Sequence, residues 1–306
     1  LQAKIAKANV LYVHLTGVSQ EILKNLVLAG VRATLCDARS YPEAVESTTS
    51  FFLLERQNKK IKYASVGHAM KEAVEELNPL LGDCEIIDKT VAELDDEFFA
   101  NYDMVIASQL GMTEAARVAQ ATTKGGGKFY LVDCFGWNGV CVLDLGANHQ
   151  YRAELGKGKL SDLITLETYV PLNDIWKIPL IDLTSRVDKK HPPLVWLQYR
   201  AMLEFEARTG EMPCADTKEQ FAKTIQLWIA SEAPAYKDLE CFSTETLEEW
   251  ATVATAELSP VCAVLGGVLG NEVVKAITSK GEPANNALLF EGKIGKCRNL
   301  LLQAKK

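Results

Sequence analysis

NVLYVHLTGVSQEILKNLVLAGVRATLCD, Asn9 to Asp37, carries the decisive local pattern. NVLYVHL is a short, β-rich apolar run of the kind that forms a buried strand. After the turn, Ile22, Leu23, Leu26 and Val27 recur at helical spacing, Ser19 is placed to cap the first turn, and Gly30 stands where a helix stops. VRATLCD is a second strand. Strand, turn, helix and strand in this order make a parallel unit, and the pattern continues outward. HAMKEAVEELNP reads as a helix ended by Pro79, CEIID, MVIAS and KFYLVD as strands, and MTEAARVAQATTKGGG as a helix closed by Gly125 to Gly127. GVCVLDLG follows the turn FGWN as another strand. The first 150 residues therefore predict a doubly wound α/β sheet covered on both faces.

The turn in the first unit is HLTGVS. A glycine-rich turn between such a strand and helix lets backbone approach phosphates, the helix amino end supplies N–H groups, and an acid after the second strand bonds ribose hydroxyls. Of three expected glycines only Gly17 remains; His14 stands at the first position and Ser19 at the third. Asp37 follows the second strand, as the ribose acid should. The set His14, Gly17, Ser19 and Asp37 is thus a degenerate nucleotide loop, because a side chain at the first position resists the positive φ that glycine supplies. A catalytic role for His14 finds no nearby acid or second histidine, and Asp37 also suits a strand-end acid facing water.

The chain has 306 residues, 33 basic and 40 acidic, for a formal charge of -7. Without a dense basic block it has no electrostatic grip on a phosphate backbone, so nucleic acid is not an expected partner. The longest nearly unbroken apolar run, Leu258 to Gly270, is shorter than the ~18 residues of a bilayer span and reads as a buried helix. No membrane is expected, and LQAKIAKANV lacks the features of a secretory leader, so an intracellular place is expected. Eight scattered cysteines, with no CxxC, suit a reducing compartment and give no metal-ligand spacing. No metal site is expected.

Beyond residue 150 the texture changes. YRAELGKGKLSD reads as a linker, and three helical patterns follow: PPLVWLQYRAMLEFEARTG, DTKEQFAKTIQLWIASEA and STETLEEWATVATAEL. Leu194, Leu197, Ala201 and Phe205 share one face of the first, a core-packing pattern. A long apolar helix from Pro260 and a strand NALLFEG close the chain. The expected division is 1–150, a mainly helical insertion 151–257, and a closing helix and strand 258–306.

Three stretches carry a family resemblance. VLYVHLTGVSQEILKNLVLAGVRATLCD resembles the opening of the adenylation domain of ubiquitin-like-protein activating enzymes, LVDCFGWNGVCVLDLG a strand, turn and strand in its middle, and SPVCAVLGGVLGNEVVKAI with NNALLFEG its closing helix and strand. The resemblance implies a Rossmann-like adenylation fold. It also implies pairing with a larger catalytic subunit, which binds ATP and magnesium, adenylates the modifier and takes it as a thioester. The length leaves no room for the catalytic-cysteine or ubiquitin-like domains of active members, which points to the small regulatory subunits, those serving SUMO in particular, and to nucleus and cytoplasm.

Carried over position by position, the resemblance implies an inactive half. Where active members have an ALDN-type segment with a magnesium-binding Asp, this chain has ASQLGM, Ala107 to Met112. Arg56, Lys59 and Lys60 do not match the phosphate-holding set and read as a solvated loop. Residues 1–8 contain no counterpart of the arginine-bearing YxRQIRLWG-like segment of the family's small subunits. No cysteine reads as catalytic, Cys241 having the least apolar setting. Catalytic residues and bound cofactors are therefore expected to be none in this chain. A partner interface is expected at Phe51, Phe52 and Leu54 and on the apolar helix at Val264, Leu265 and Val268, exposing a large apolar patch in the isolated chain. The alternatives are a self-sufficient adenylating homodimer, the inactive half of a ubiquitin- or NEDD8-activating enzyme, and a nicotinamide-dependent dehydrogenase.

Overall fold

Three parallel strand ends meeting side by side set the geometry of the molecule. In the computed structural model, which describes residues 2–41, 50, 52–53, 63–183 and 193–304, β1 (Asn9–Val13) lies between β2 (Arg32–Cys36) and β4 (Met104–Ala107). Val13 is level with Cys36 on one side and Ala107 on the other. The residues that follow, His14, Asp37 and Ser108, therefore emerge together at the carboxyl edge of the sheet.

The full sheet has eight strands. With β3 (Glu85–Ile87), β5 (Lys128–Phe135), β6 (Asn138–Asp144), β11 (Ala287–Glu291) and β12 (Lys296–Leu300), its order is β12-β11-β6-β5-β4-β1-β2-β3. The five strands from β3 to β5 run parallel, while β6, β11 and β12 pair antiparallel. This is a mixed α/β, Rossmann-like sheet with a largely parallel centre. Its strand order reverses beside β1, where open parallel sheets place their ligand crevices.

Strand periodicity divides the core in two. Val10 and Tyr12 of β1 point to one face, and Leu11 and Val13 to the other, all fully buried. The first face is covered by α2 (Gly17–Leu28), α3 (Val66–Leu77) and α10 (Ser259–Thr278); α1 is the short helix Gln2–Ile5. The second is covered by α5 (Met112–Lys124) and α7 (Leu194–Thr209), with α4 (Asp96–Ala100), α6 (Leu172–Ile175), α8 (Lys218–Glu232) and α9 (Thr244–Val253) packed around them. Residues 151–162, read as a linker, are instead partly paired: β8 (Glu154–Gly156) and β9 (Lys159–Leu160) form a hairpin, flanked by β7 (Gln150–Tyr151) and β10 (Ile164–Thr165). Leu194, expected in the core with Leu197, Ala201 and Phe205, is 48% exposed because it opens α7, ahead of the turns that bury the other three.

Helix α10 is long and apolar enough, by length and composition alone, to cross a membrane. Here it is packed along α2, with Leu265, Leu269 and Val273 fully buried beside Ile22, Leu23 and Leu26. Burial of each such side chain contributes about 1.5–3 kcal/mol. The close approach depends on Gly266, where a Cβ would lie 2.5 Å from Glu21 Cβ, whereas the adjacent Gly267 faces open space. Gly266→Val should therefore destabilise the protein by about 1–3 kcal/mol in urea denaturation. Gly267→Ala should be neutral or stabilising by up to about 1 kcal/mol.

Candidate functional site

The crevice at the carboxyl edge is built from the degenerate loop. His14 has φ 59°, a left-handed conformation at the position where glycine was expected. The residue tolerates it because both its backbone and its ring are tied: His14 N–H donates to Cys36 O at 3.1 Å, and Nδ1 lies 2.9 Å from Ser108 O, which makes Nδ1–H the donor. The loop keeps the bend that a glycine would give, with a side chain in place of open space.

Helix α2 starts at Gly17, and its N-cap Thr16 makes no side-chain capping bond. Ser19, the expected cap, lies inside the first turn and donates its hydroxyl to His14 O and Thr16 O. The free N–H groups are met by Glu257, 240 residues away: Gly17 N–H donates to Oε2 at 2.6 Å and Val18 N–H to Oε1 at 3.2 Å. A carboxylate thus stands where the motif places a phosphate. Gly17 is needed for this contact, since a Cβ there would lie 2.9 Å from Oε2. Burial pushes the Glu257 carboxyl above its ordinary value, an effect only partly offset by the two N–H donors.

Asp37 is equally committed. It is fully buried, accepting from Leu15 N–H at 2.7 Å and from the Arg39 guanidinium at 2.9 Å through Nε and 2.6 Å through Nη2. Burial alone would raise its carboxyl, but Arg39 and the Leu15 N–H outweigh this and hold it below the ordinary value. Arg39 also reaches Gln109 Oε1 at 3.1 Å, spanning the crevice from the β2 end to the β4 end. The acid does not face water, and its ribose-binding oxygens are bonded to the chain's own donors.

A third carboxylate, Asp133 on β5, lies behind the ASQLGM segment. It accepts from Ser108 Oγ at 3.0 Å, Gln109 N–H at 2.7 Å and Tyr199 Oη at 2.6 Å. Burial nevertheless raises its carboxyl. Thr16 Oγ1 donates to Ser108 Oγ, so a hydrogen-bond chain runs from the loop through Ser108 and Asp133 to α7. Beside Asp133 a cavity of about 310 Å³ is walled by Leu110, Phe135, Met202, Leu203 and Met212, with Glu206 at its rim. None of His14, Gly17, Ser19 or Asp37 lines it.

Glu257, Arg39, Asp133 and Tyr199 were missed in the sequence reading. Arg39 had a local signal, lying two residues beyond Asp37; the others are assembled only by tertiary structure. Of the expected interface residues, Phe51 and Leu54 lie outside the described residues, as do Arg56, Lys59 and Lys60. Phe52 and Val268 are half-buried, and Val264 is 50% exposed. Leu265 corrects the expectation: its side chain is fully buried under α2, so it serves the chain's own core.

All eight cysteines are free thiols. Burial pushes Cys36 and Cys84 up to about 12 and Cys241 up to about 11, so these stay protonated at neutral pH. Cys214, not Cys241, is the thiol in the more open setting, and Thr217 holds it below its ordinary value. Among the described residues no three His, Cys, Asp or Glu side chains gather as a metal site.

No protein-family model matches the chain. It is 27% identical over 297 residues to SUMO-activating enzyme subunit 1 of Dictyostelium discoideum, covering 95% of this chain and 86% of that protein. The Xenopus laevis protein of the same name is 28% identical over 319 residues (95% and 88%), and the human one 26% over 321 residues (96% and 88%). The resemblance is to SUMO-activating enzyme subunit 1. It spans nearly the whole chain.

The two committed carboxylates titrate with opposite sign. Asp37 sits below its ordinary value, so its contribution is present above that value and is lost as pH falls through the folded one. Glu257 sits above its ordinary value, so the folded state holds that proton more tightly and gains stability as pH falls into that range. Asp37→Asn should cost about 1–3 kcal/mol at neutral pH, a deficit that shrinks below about pH 4. Glu257→Ala should cost about 1–2 kcal/mol through loss of the cap, with the deficit not shrinking in acid. Urea denaturation across about pH 3 to 7 checks both.

Proposed function

We propose that this chain is the non-catalytic small subunit of a heterodimeric SUMO-activating enzyme. In this reading the larger partner binds ATP and magnesium, adenylates the carboxyl-terminal glycine of SUMO and takes it as a thioester, while this chain supports the active partner's fold and the binding of the modifier. The observation that carries the reading is the Glu257 carboxylate on the Gly17 and Val18 N–H groups. A nucleotide phosphate at that turn would meet a buried negative charge in place of free donors, and its ribose would meet an acid already bonded by Arg39. The residues present do not fit a nucleotide.

The likeness to proteins named SUMO-activating enzyme subunit 1 supplies the modifier class and the expectation of a partner subunit. Under the same reading, residues 1–150 and 258–306 form one doubly wound pseudo-adenylation unit, 151–257 its mainly helical insertion, and the pair works in nucleus and cytoplasm. Val264, Val268 and Phe52 are the described positions proposed to meet the large subunit.

ATP–pyrophosphate exchange with SUMO tests the proposal. The purified chain should be silent alone, and activity should appear when a large subunit is added and co-elutes with it. Exchange by the chain alone would overturn the reading in favour of a self-sufficient adenylating homodimer. In the complex, Glu257→Gln should leave exchange within about twofold of wild type, because the amide oxygen still accepts from the Gly17 N–H and in this reading the side chain touches no reacting group.

A further inference from the structure

Six buried side-chain nitrogen or oxygen atoms among the described residues lack a hydrogen-bond partner, and four of them belong to one trio: Trp176 Nε1, Trp196 Nε1, and Nε and Nη1 of Arg200. All four are donors. Trp176 packs against both of the others. Trp176 stacks on Trp196 with ring centroids 5.9 Å apart and planes 6° from parallel, and the Arg200 guanidinium lies 5.7 Å from the centre of the Trp176 ring. Trp196 and Arg200 are four residues apart on α7 and so share a face.

The charge in this cluster is unbalanced. Arg200 is only 5% exposed, and burial brings its guanidinium down to about 10. Its nearest acids act from a distance: Glu204 is bonded to Arg208 at 2.7 Å, and Glu232 is an exposed residue at the end of α8. A cation taken out of water without an anion in contact is costly, and a set of buried donors facing no acceptor signals a missing acceptor. Cation–π attraction to Trp176 offsets part of the charge but satisfies no N–H group.

We propose that Arg200, Trp176 and Trp196 form a binding site for a singly charged carboxylate, supplied either by a small free acid or by an acidic side chain of a protein partner. The donor set offers N–H groups alone, which selects an acceptor-only ligand. One cation balances one negative charge and disfavours a dianion such as sulfate or phosphate. Trp176, half-buried at the end of α6, places one edge of the cluster next to the surface. The inference does not rest on the SUMO reading and stands or falls separately from it.

Titration of the full chain with sodium acetate, sodium hexanoate or N-acetyl-glutamate amide, at constant ionic strength, tests the proposal. The readouts are tryptophan fluorescence and the indole and Arg Nε–H resonances in nitrogen-15 NMR, assigned with Trp176→Phe. Saturable shifts of the Trp176, Trp196 and Arg200 resonances are expected with carboxylates and not with sulfate. Binding should weaken at least tenfold in Arg200→Met and severalfold in Trp176→Phe, which keeps the cation and removes one donor. Tighter binding of hexanoate marks a free apolar acid as the ligand, and tighter binding of the blocked glutamate marks a protein side chain. Should Arg200→Met fail to fold, Trp176→Phe and Arg200→Lys carry the test. A response no different from chloride means that water satisfies the donors and overturns the proposal, as does equal binding of sulfate or binding unchanged in the variants.

Discussion

The contact of Glu257 with the Gly17 and Val18 N–H groups fixes more of this molecule than any other single interaction described here. The amino end of α2 concentrates free donors and the positive end of the helix dipole, so it requires an acceptor. In a nucleotide-binding sheet the ligand provides one. Here the chain provides it from 240 residues away, and supplying it places the start of α10, the turn after β5 and α2 in one arrangement. Gly136 N–H donates to Ala256 O at 2.7 Å and Gly136 bridges to Glu257, so the carboxylate is aimed by backbone pairing rather than by a loose side chain. α10 begins two residues later and can then lie along α2 through Gly266.

The ribose end repeats the same solution with opposite charge. Asp37 would be a costly buried anion without a partner, and Arg39, two residues on, neutralises it while also bonding Gln109 across the crevice. An external nucleotide would have to displace a guanidinium at one end and a carboxylate at the other, each already making charge-assisted bonds. The crevice thus keeps the electrostatic demands of a binding fold and meets them internally.

This division explains what could be read from the chain. The strand–turn–helix order, the helix ending at Pro79, the FGWN turn and the apolar closing helix all follow from local chemistry, and the elements observed match them. The loss of two glycines was legible too, because glycine has a physical role at a fixed position. What could not be read was the replacement. Ser19 had the right type and spacing to cap α2, but the helix begins three residues earlier than that role requires, at Gly17. Glu257 carries no local mark, sitting in AELSP as one acid among forty. Leu265 looked like a surface candidate because periodicity alone cannot tell which side of a uniformly apolar helix faces inward; the contact with α2 decides it.

Asp133 extends the same logic inward. Metal-assisted or acid–base chemistry requires carboxylate oxygens that are free to take a cation or a substrate proton. The three acids at this edge of the sheet accept from Gly17, Val18, Leu15, Arg39, Ser108, Gln109 and Tyr199. These bonds connect α2, β2, the segment after β4, β5 and α7, so each acid ties together elements distant in sequence. Buried polar networks of this kind specify one arrangement when every member is satisfied. A crevice whose carboxylates all serve as internal ties holds the elements of its two core faces in fixed relation.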